Sequence, residues 1–152
     1  MYRHDLATGI DKLGKLADVI GKLRDVPRLA AVKAQTPILR AVQEEFVEGQ
    51  DPYGRPWATL KPETLAIHPP PPLSRSLALA VDTDVTLLDG LKNGLAVTLG
   101  RAYGYFHQIG FRHGRSTVPP RRPLPQFGMP RAWREIIERA TKAAIDEIRS
   151  KL

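Results

Sequence analysis

Six side chains between residues 107 and 122 carry groups that could do chemistry: His107, Arg112, His113, Arg115, Arg121 and Arg122. Imidazoles and guanidiniums in one strip suit two tasks, holding a metal through the histidines or meeting phosphate or carboxylate through charge. No carboxylate joins the two histidines at ligand spacing, which argues against a metal site. The chain has no Cys, which excludes disulfides, thiolate catalysis and Cys-based zinc or iron–sulfur centres. Glu44 and Glu45 form the nearest approach to a carboxylate pair, but adjacent residues on a helix point in different directions. With Glu48 they read as a solvated helix end, where the dipole disfavours acids; they await a basic partner or fray. A phosphate-binding Gly-x-x-x-x-Gly-Lys-Ser/Thr loop, a Gly-x-Ser-x-Gly elbow and a His-Glu-x-x-His pair are all missing. A non-enzymatic protein with no cofactor is the expectation.

The arginines remain the stronger functional candidate. Pro119, Pro120, Pro123 and Pro125 stiffen the strip, and residues 111–125 read as an extended arm with one short edge strand. A stiff segment loses less entropy on docking, which favours acidic residues on a neighbouring subunit as the partner. Phosphate is the alternative, because the chain carries a net charge of +7 at pH 7, and a basic surface can follow a nucleic acid.

The elements that must position these residues follow from periodicity. The 152 residues form one domain, long enough to bury a real core. No window approaches the apolar length of a membrane span. Asp5, Asp11 and Asp18 interrupt any signal-like N-terminus, so a cytoplasmic origin is the default expectation. Leu6, Ile10, Leu13, Ala17 and Ile20 fall at three- and four-residue steps and predict a helix over residues 4–24. Gly9, Gly14 and Gly21 weaken it, so its apolar face is either core or an interface. A second helix spans residues 28–48 through Leu29, Val32, Leu39, Val42 and Phe46; Pro37 lies inside it, and a kink or interruption is expected near Thr36. A turn follows in which Asp51-Pro52 reverses the chain, Gly54 supplies a positive φ, and Trp57 and Leu60 return apolar groups to the core.

Lys61 to Ile67 suits a short helical turn, and Pro69 to Pro72 a polyproline spacer. Leu73 to Ala80 fits helix or strand. Residues 82–89 and 95–99 read as strands, with Lys92-Asn93-Gly94 as the hairpin turn between them. Tyr103 to Ile109 forms a short helix ended by Gly110. The last helix covers residues 130–152, with Trp133, Ile136, Ile137, Ala140, Ala144, Ile145 and Ile148 on its apolar stripe and Pro130 in its first turn.

Two motifs in this order resemble a known family. The first is Phe46 and Gly49 closing a helix, then Asp51-Pro52-x-Gly54-x-x-Trp57-x-x-Leu60. The second is Tyr103-x-x-Phe106-His107-Gln108-Ile109-Gly110, followed by the Pro-Arg-Arg-Pro-Leu run from Pro120 to Leu124 and an amphipathic helix. Over about residues 28–150 the chain resembles the phage virion morphogenesis family, the Mu-like and P2-like tail completion proteins. It departs from that pattern where Leu73-Ser74-Arg75-Ser76-Leu77 stands in place of a Thr-Gly-x-Leu-x-x-Ser segment. Gly110-Phe111 also replaces a glycine pair, and Leu124 replaces a Phe.

The resemblance implies an α+β fold with two N-terminal helices and a C-terminal helix packed on a small, mostly antiparallel β-sheet. It implies a virion protein of the neck, assembled in the host cytoplasm. Its homo-oligomeric ring would cap the tail tube, contact the head connector and let DNA pass through its lumen, with six subunits expected and twelve as the alternative. His107 and Gln108 would orient a loop by hydrogen bonding. Leu6, Ile10, Leu13, Arg112, Arg115, Arg121, Arg122 and Leu124 are the candidates for the subunit or partner interface.

Overall fold

The computed structural model describes the backbone of residues 3–59, 62, 81–88, 94–100, 103–114 and 116–151, and their side chains except at 3–8, 103, 113 and 116. The described elements are α1 (Arg3–Leu23), α2 (Val26–Glu48), β1 (Thr83–Leu88), β2 (Gly94–Leu99), α3 (Tyr103–Ile109), β3 (Phe111–His113), β4 (Ser116–Val118) and α4 (Arg131–Arg149). The fold is α+β, with helices packed on a small antiparallel sheet.

The core is the seam between α2 and α4. Ala34, Ile38, Val42 and Phe46 recur at four-residue steps on α2 and are all buried, because side chains four apart stack on one helix face. Facing them, α4 buries Trp133, Ile136, Ala140, Ala144 and Ile148. The helices run antiparallel. Lys33 near the start of α2 pairs with Glu147 near the end of α4 at 2.8 Å, while Glu45 at the other end of α2 meets Trp133. Lys151 and Lys33 together hold the Glu147 carboxyl at about 2.

The β1–β2 sheet closes this seam on one side. Its strands pair antiparallel from Thr83 opposite Leu99 to Leu88 opposite Gly94. Val85 points into the core, and Gln35 on α2 donates through Nε2 to the Val85 carbonyl at 2.6 Å. Leu95, Val97 and Leu99 pack partly buried against the same cluster, as expected from their alternation.

Several sequence expectations shift. The helix assignment of α2 is continuous through Pro37, whose side chain is exposed. The proline removes one backbone donor without forcing its ring into the core. Pro130 stands just ahead of α4 at φ −56°, ψ 150° rather than in its first turn. Gly94 lies in β2 opposite Leu88 rather than in a turn. The arm contains a hairpin of its own, with Phe111 opposite Val118 and His113 opposite Ser116; Gly114 opens its turn at φ 59°. Ile145 is 42% exposed, so the α4 stripe is narrower than its sequence suggests. The α1 face is not core: Ile10, Leu13, Leu16 and Ile20 are each more than half exposed. Leu60, most of the 61–67 turn, the proline run, residues 73–80, Lys92, Asn93 and Arg115 lie outside the described residues.

The helix phase is testable. Ile38→Ala is expected to cost about 2–5 kcal/mol in urea denaturation, and Val32→Ala, on the exposed side of α2, within about 0.5 kcal/mol. Equal losses would mean that the α2 face is misplaced.

Candidate functional site

The corner after α2 is built by backbone bonds. Gly49 takes the left-handed conformation at φ 68°, ψ 37°, and its N–H donates to the Glu45 carbonyl, closing the helix. The chain then reverses. Asp51 N–H donates to the Arg55 carbonyl at 2.8 Å, and Trp57 N–H donates to the Gly49 carbonyl at 2.8 Å. The Asp51 carboxylate sits inside this loop. Its Oδ1 accepts from Tyr53 N–H and Arg55 N–H at 2.9 Å each, and its Oδ2 faces Arg55 Nε at 3.1 Å. Gly54 has φ 78°, which a residue with a Cβ adopts poorly.

Trp57 meets Phe46 edge to face at a centroid distance of 5.4 Å. It is only half buried, and its indole N–H has no partner among the described residues. It therefore acts as a cover on the core rather than as its centre. The corner also grips a distant segment. Phe127 N–H donates to the Tyr53 hydroxyl at 2.8 Å, and that hydroxyl lies 2.8 and 3.0 Å from the carbonyls of Phe127 and Gly128.

A cleft of about 510 Å³ opens beside this corner, lined by Glu44, Glu45, Glu48, Asp51, Tyr53 and Glu135 among others. The solvated-end reading of Glu45 is corrected here. Glu45 stands three residues after Val42 and seven after Ile38, which turns it inward, and it is 7% exposed. Trp133 Nε1 donates to its Oε1 at 3.3 Å, while its Oε2 has no partner among the described residues. Burial pushes this carboxyl up to about 8; the Trp133 bond opposes the rise and the Asp51 charge adds to it. A carboxyl raised in this way beside a cleft is a common mark of acid–base catalysis. The geometry disfavours that role. Glu45 Oε2 is shut off from solvent, and both Asp51 oxygens already hold the turn.

The second motif fastens the arm. Gln108 near the end of α3 reaches across to Leu124, donating through Nε2 to its carbonyl at 2.9 Å and accepting its N–H at Oε1 at 3.0 Å. Arg121 N–H donates to the His107 carbonyl at 2.7 Å. Gly110 caps α3, its N–H donating to the Phe106 carbonyl at 2.8 Å. It has φ 73°, and a Cβ there would lie 2.8 Å from the Val118 carbonyl oxygen and 2.9 Å from the Pro120 nitrogen. Only glycine lets the arm pass this close. Pro123 is fully buried, which seats the segment. Burial, and then the Arg121 charge, holds the His107 imidazole below its ordinary value; burial also lowers Arg121.

The predicted residues thus separate into groups. Phe46, Gly49, Asp51, Pro52, Gly54 and Trp57 form the corner, and His107, Gln108 and Gly110 form the clamp. Tyr103 opens α3. Arg121 and Leu124 face the protein's own α3, whereas Arg112 and Arg122 are exposed. Ile10 and Leu13 stand in solvent on α1. Glu45 and Tyr53 carry tasks that sequence spacing did not single out. Among the described residues, no three His, Asp or Glu side chains come together as a metal site, and no helix is long and apolar enough to cross a membrane. No protein-family model, curated protein or solved structure matches the chain.

Two outcomes follow from these anchors. Between about pH 4.5 and 8 the folded state keeps a proton on Glu45 that the unfolded chain releases, so stability falls as pH rises through that window. Glu45→Gln, which stays neutral, is expected to flatten that slope and raise the melting temperature at pH 8; an unchanged profile would show that Glu45 is ionised in the fold. Gln108→Ala leaves the Leu124 backbone groups without their partner, at about 1–3 kcal/mol for each buried group. Hydrogen exchange should then rise at residues 121–125 while α2 and α4 stay protected.

Proposed function

We propose that this chain is a structural phage virion protein of the neck, a tail completion or tail terminator subunit that acts as an oligomeric ring. The ring caps the tail tube and joins it to the head connector. One observation carries the reading: the polar residues at the centre of both family-like motifs hold backbone rather than face a substrate. Asp51 ties the corner together, and Gln108 ties the arm to α3. Both motifs serve architecture, as a subunit of an assembly requires. The exposed aliphatic face of α1 supports the same reading, because contiguous apolar surface on a protein this small marks a contact site.

A basic nucleic-acid-binding module is the second reading. Arg112 and Arg122 are exposed and make no ion pair among the described residues. In a ring they would be repeated around the axis, where DNA passes.

Native mass spectrometry together with imaging of virion necks tests the first reading. A closed oligomer assigned to neck density is the expected result; a stable monomer absent from particles would remove it. Fluorescence anisotropy on duplex DNA tests the second. If the two arginines contact phosphates, Arg112→Ala with Arg122→Ala lowers the salt slope by about 1.8. No binding at low salt would eliminate that reading.

A further inference from the structure

Among the described residues, an apolar helix face stands exposed and an apolar groove opens beside the core. On α1, Ile10, Leu13, Leu16, Ile20 and Leu23 are 44–66% exposed and recur at three- and four-residue steps on one side. Asp11, Lys12, Lys15, Asp18 and Lys22 occupy the rest of the helix girth. An apolar stripe of this width is built to lie on a core. The groove runs along the N-terminal half of α2, between β2 and α4. Its floor is Ala30, Ala31 and Ala34, and its walls include Leu95, Trp133 and Ile137. Alanines on the floor let another backbone come close, and the groove encloses about 510 Å³.

We propose that the apolar face of α1 from one copy of this chain lies in the α2–β2–α4 groove of a second copy. The lengths agree. From Ile10 to Leu23 the helix face runs about 20 Å, and from Val26 to Ile38 the groove runs about 18 Å along α2. The chain's own α1 does not fill its own groove, since none of the described lining residues comes from α1. The junction explains why. Arg24 N–H donates to the Gly21 carbonyl, Asp25 N–H to the Lys22 carbonyl and Leu29 N–H to the Asp25 carbonyl. With Asp25 itself in the right-handed helical region, these bonds lead α1 into α2 with no loop to fold it back.

Area decides the kind of assembly. A helix about 12 Å across that buries half its girth over about 20 Å removes roughly 400 Å² on its own side and a similar area of groove. One such contact totals about 800 Å², short of the roughly 1,200 Å² that a stable specific interface needs. In a reciprocally exchanged pair both contacts fall in one interface, which totals about 1,600 Å², the standard size; in a ring each neighbouring pair shares one contact of about 800 Å², and every subunit is held by two neighbours. A closed species, ring or exchanged pair, is therefore favoured over an open chain end. The proposal supplies the subunit contact for the ring reading above, yet it is tested on purified protein alone.

The chain has no Cys, so introduced thiols report cleanly. Leu16→Cys protein mixed with Ile137→Cys protein is expected to form the mixed disulfide dimer on mild oxidation, at least tenfold above either homodimer. Dominant Leu16→Cys homodimers would place α1 against α1 and overturn the proposal. So would a double variant that closes its disulfide within one chain at high dilution, or a wild-type monomer carrying a bound apolar small molecule in native mass spectra. Leu13→Asp with Leu16→Asp is expected to give monomers with an unchanged circular dichroism spectrum, because both side chains lie in solvent within a single copy; oligomers of wild-type size would overturn the proposal too. Absence from virion necks alongside a positive mixed cross-link would count against the neck role and leave this contact standing. A neck ring without the cross-link would do the reverse.

Discussion

Alanines set how closely α2 and α4 approach. Ala34 on one helix and Ala140 and Ala144 on the other are buried in the seam, and Ile38, Val42, Phe46, Trp133 and Ile136 interlock around them. Small residues facing large ones let two helices pack at interior density without voids. The sheet, the corner and the cleft are all fastened to that pair. The β1–β2 sheet rests on it through Val85, the corner begins where α2 ends, and the acidic cleft lies where the end of α2 meets the start of α4.

The corner and the arm are held to this frame by directed polar bonds. Asp51 is a local staple, its carboxylate satisfying N–H groups two and four residues ahead. Gln108 acts over a longer range, pairing both backbone groups of a residue sixteen positions away. Glu45 is the costly member of the set. A buried acid with one oxygen lacking a partner among the described residues is tolerated because burial holds it in the protonated form, which avoids most of the penalty of a buried charge.

Residues whose surroundings are local were the ones that sequence made plain. The helix bounds, the Gly49 and Gly110 caps, the Asp51 turn and the two strands within residues 83–99 all follow from spacing and local chemistry. The α+β class followed with them. Long-range placement did not. Grouping with Glu44 and Glu48 at the acidic helix end reads Glu45 as solvated, although its phase with Ile38 and Val42 carries the opposite signal. The β3–β4 hairpin was hidden by the prolines that follow it, with Gly114 as its only marker. Tyr53 carried no signal, since its partners Phe127 and Gly128 lie more than seventy residues on. For α1, periodicity alone could not separate core from interface, because both demand the same stripe.

The two grips on the arm have a mechanical consequence. Leu124 is fixed to α3 by Gln108, and Phe127 and Gly128 are fixed to the corner by Tyr53. Only Pro125 and Gln126 lie between these attachments, and a proline-bearing span that short has almost no slack. The arm is thus a taut strap joining two parts of the molecule that share no secondary structure. A load applied to Arg122 by any neighbour would travel along it to Tyr53 and into the end of α2. The strap makes the exposed basic edge and the helical seam a single load path.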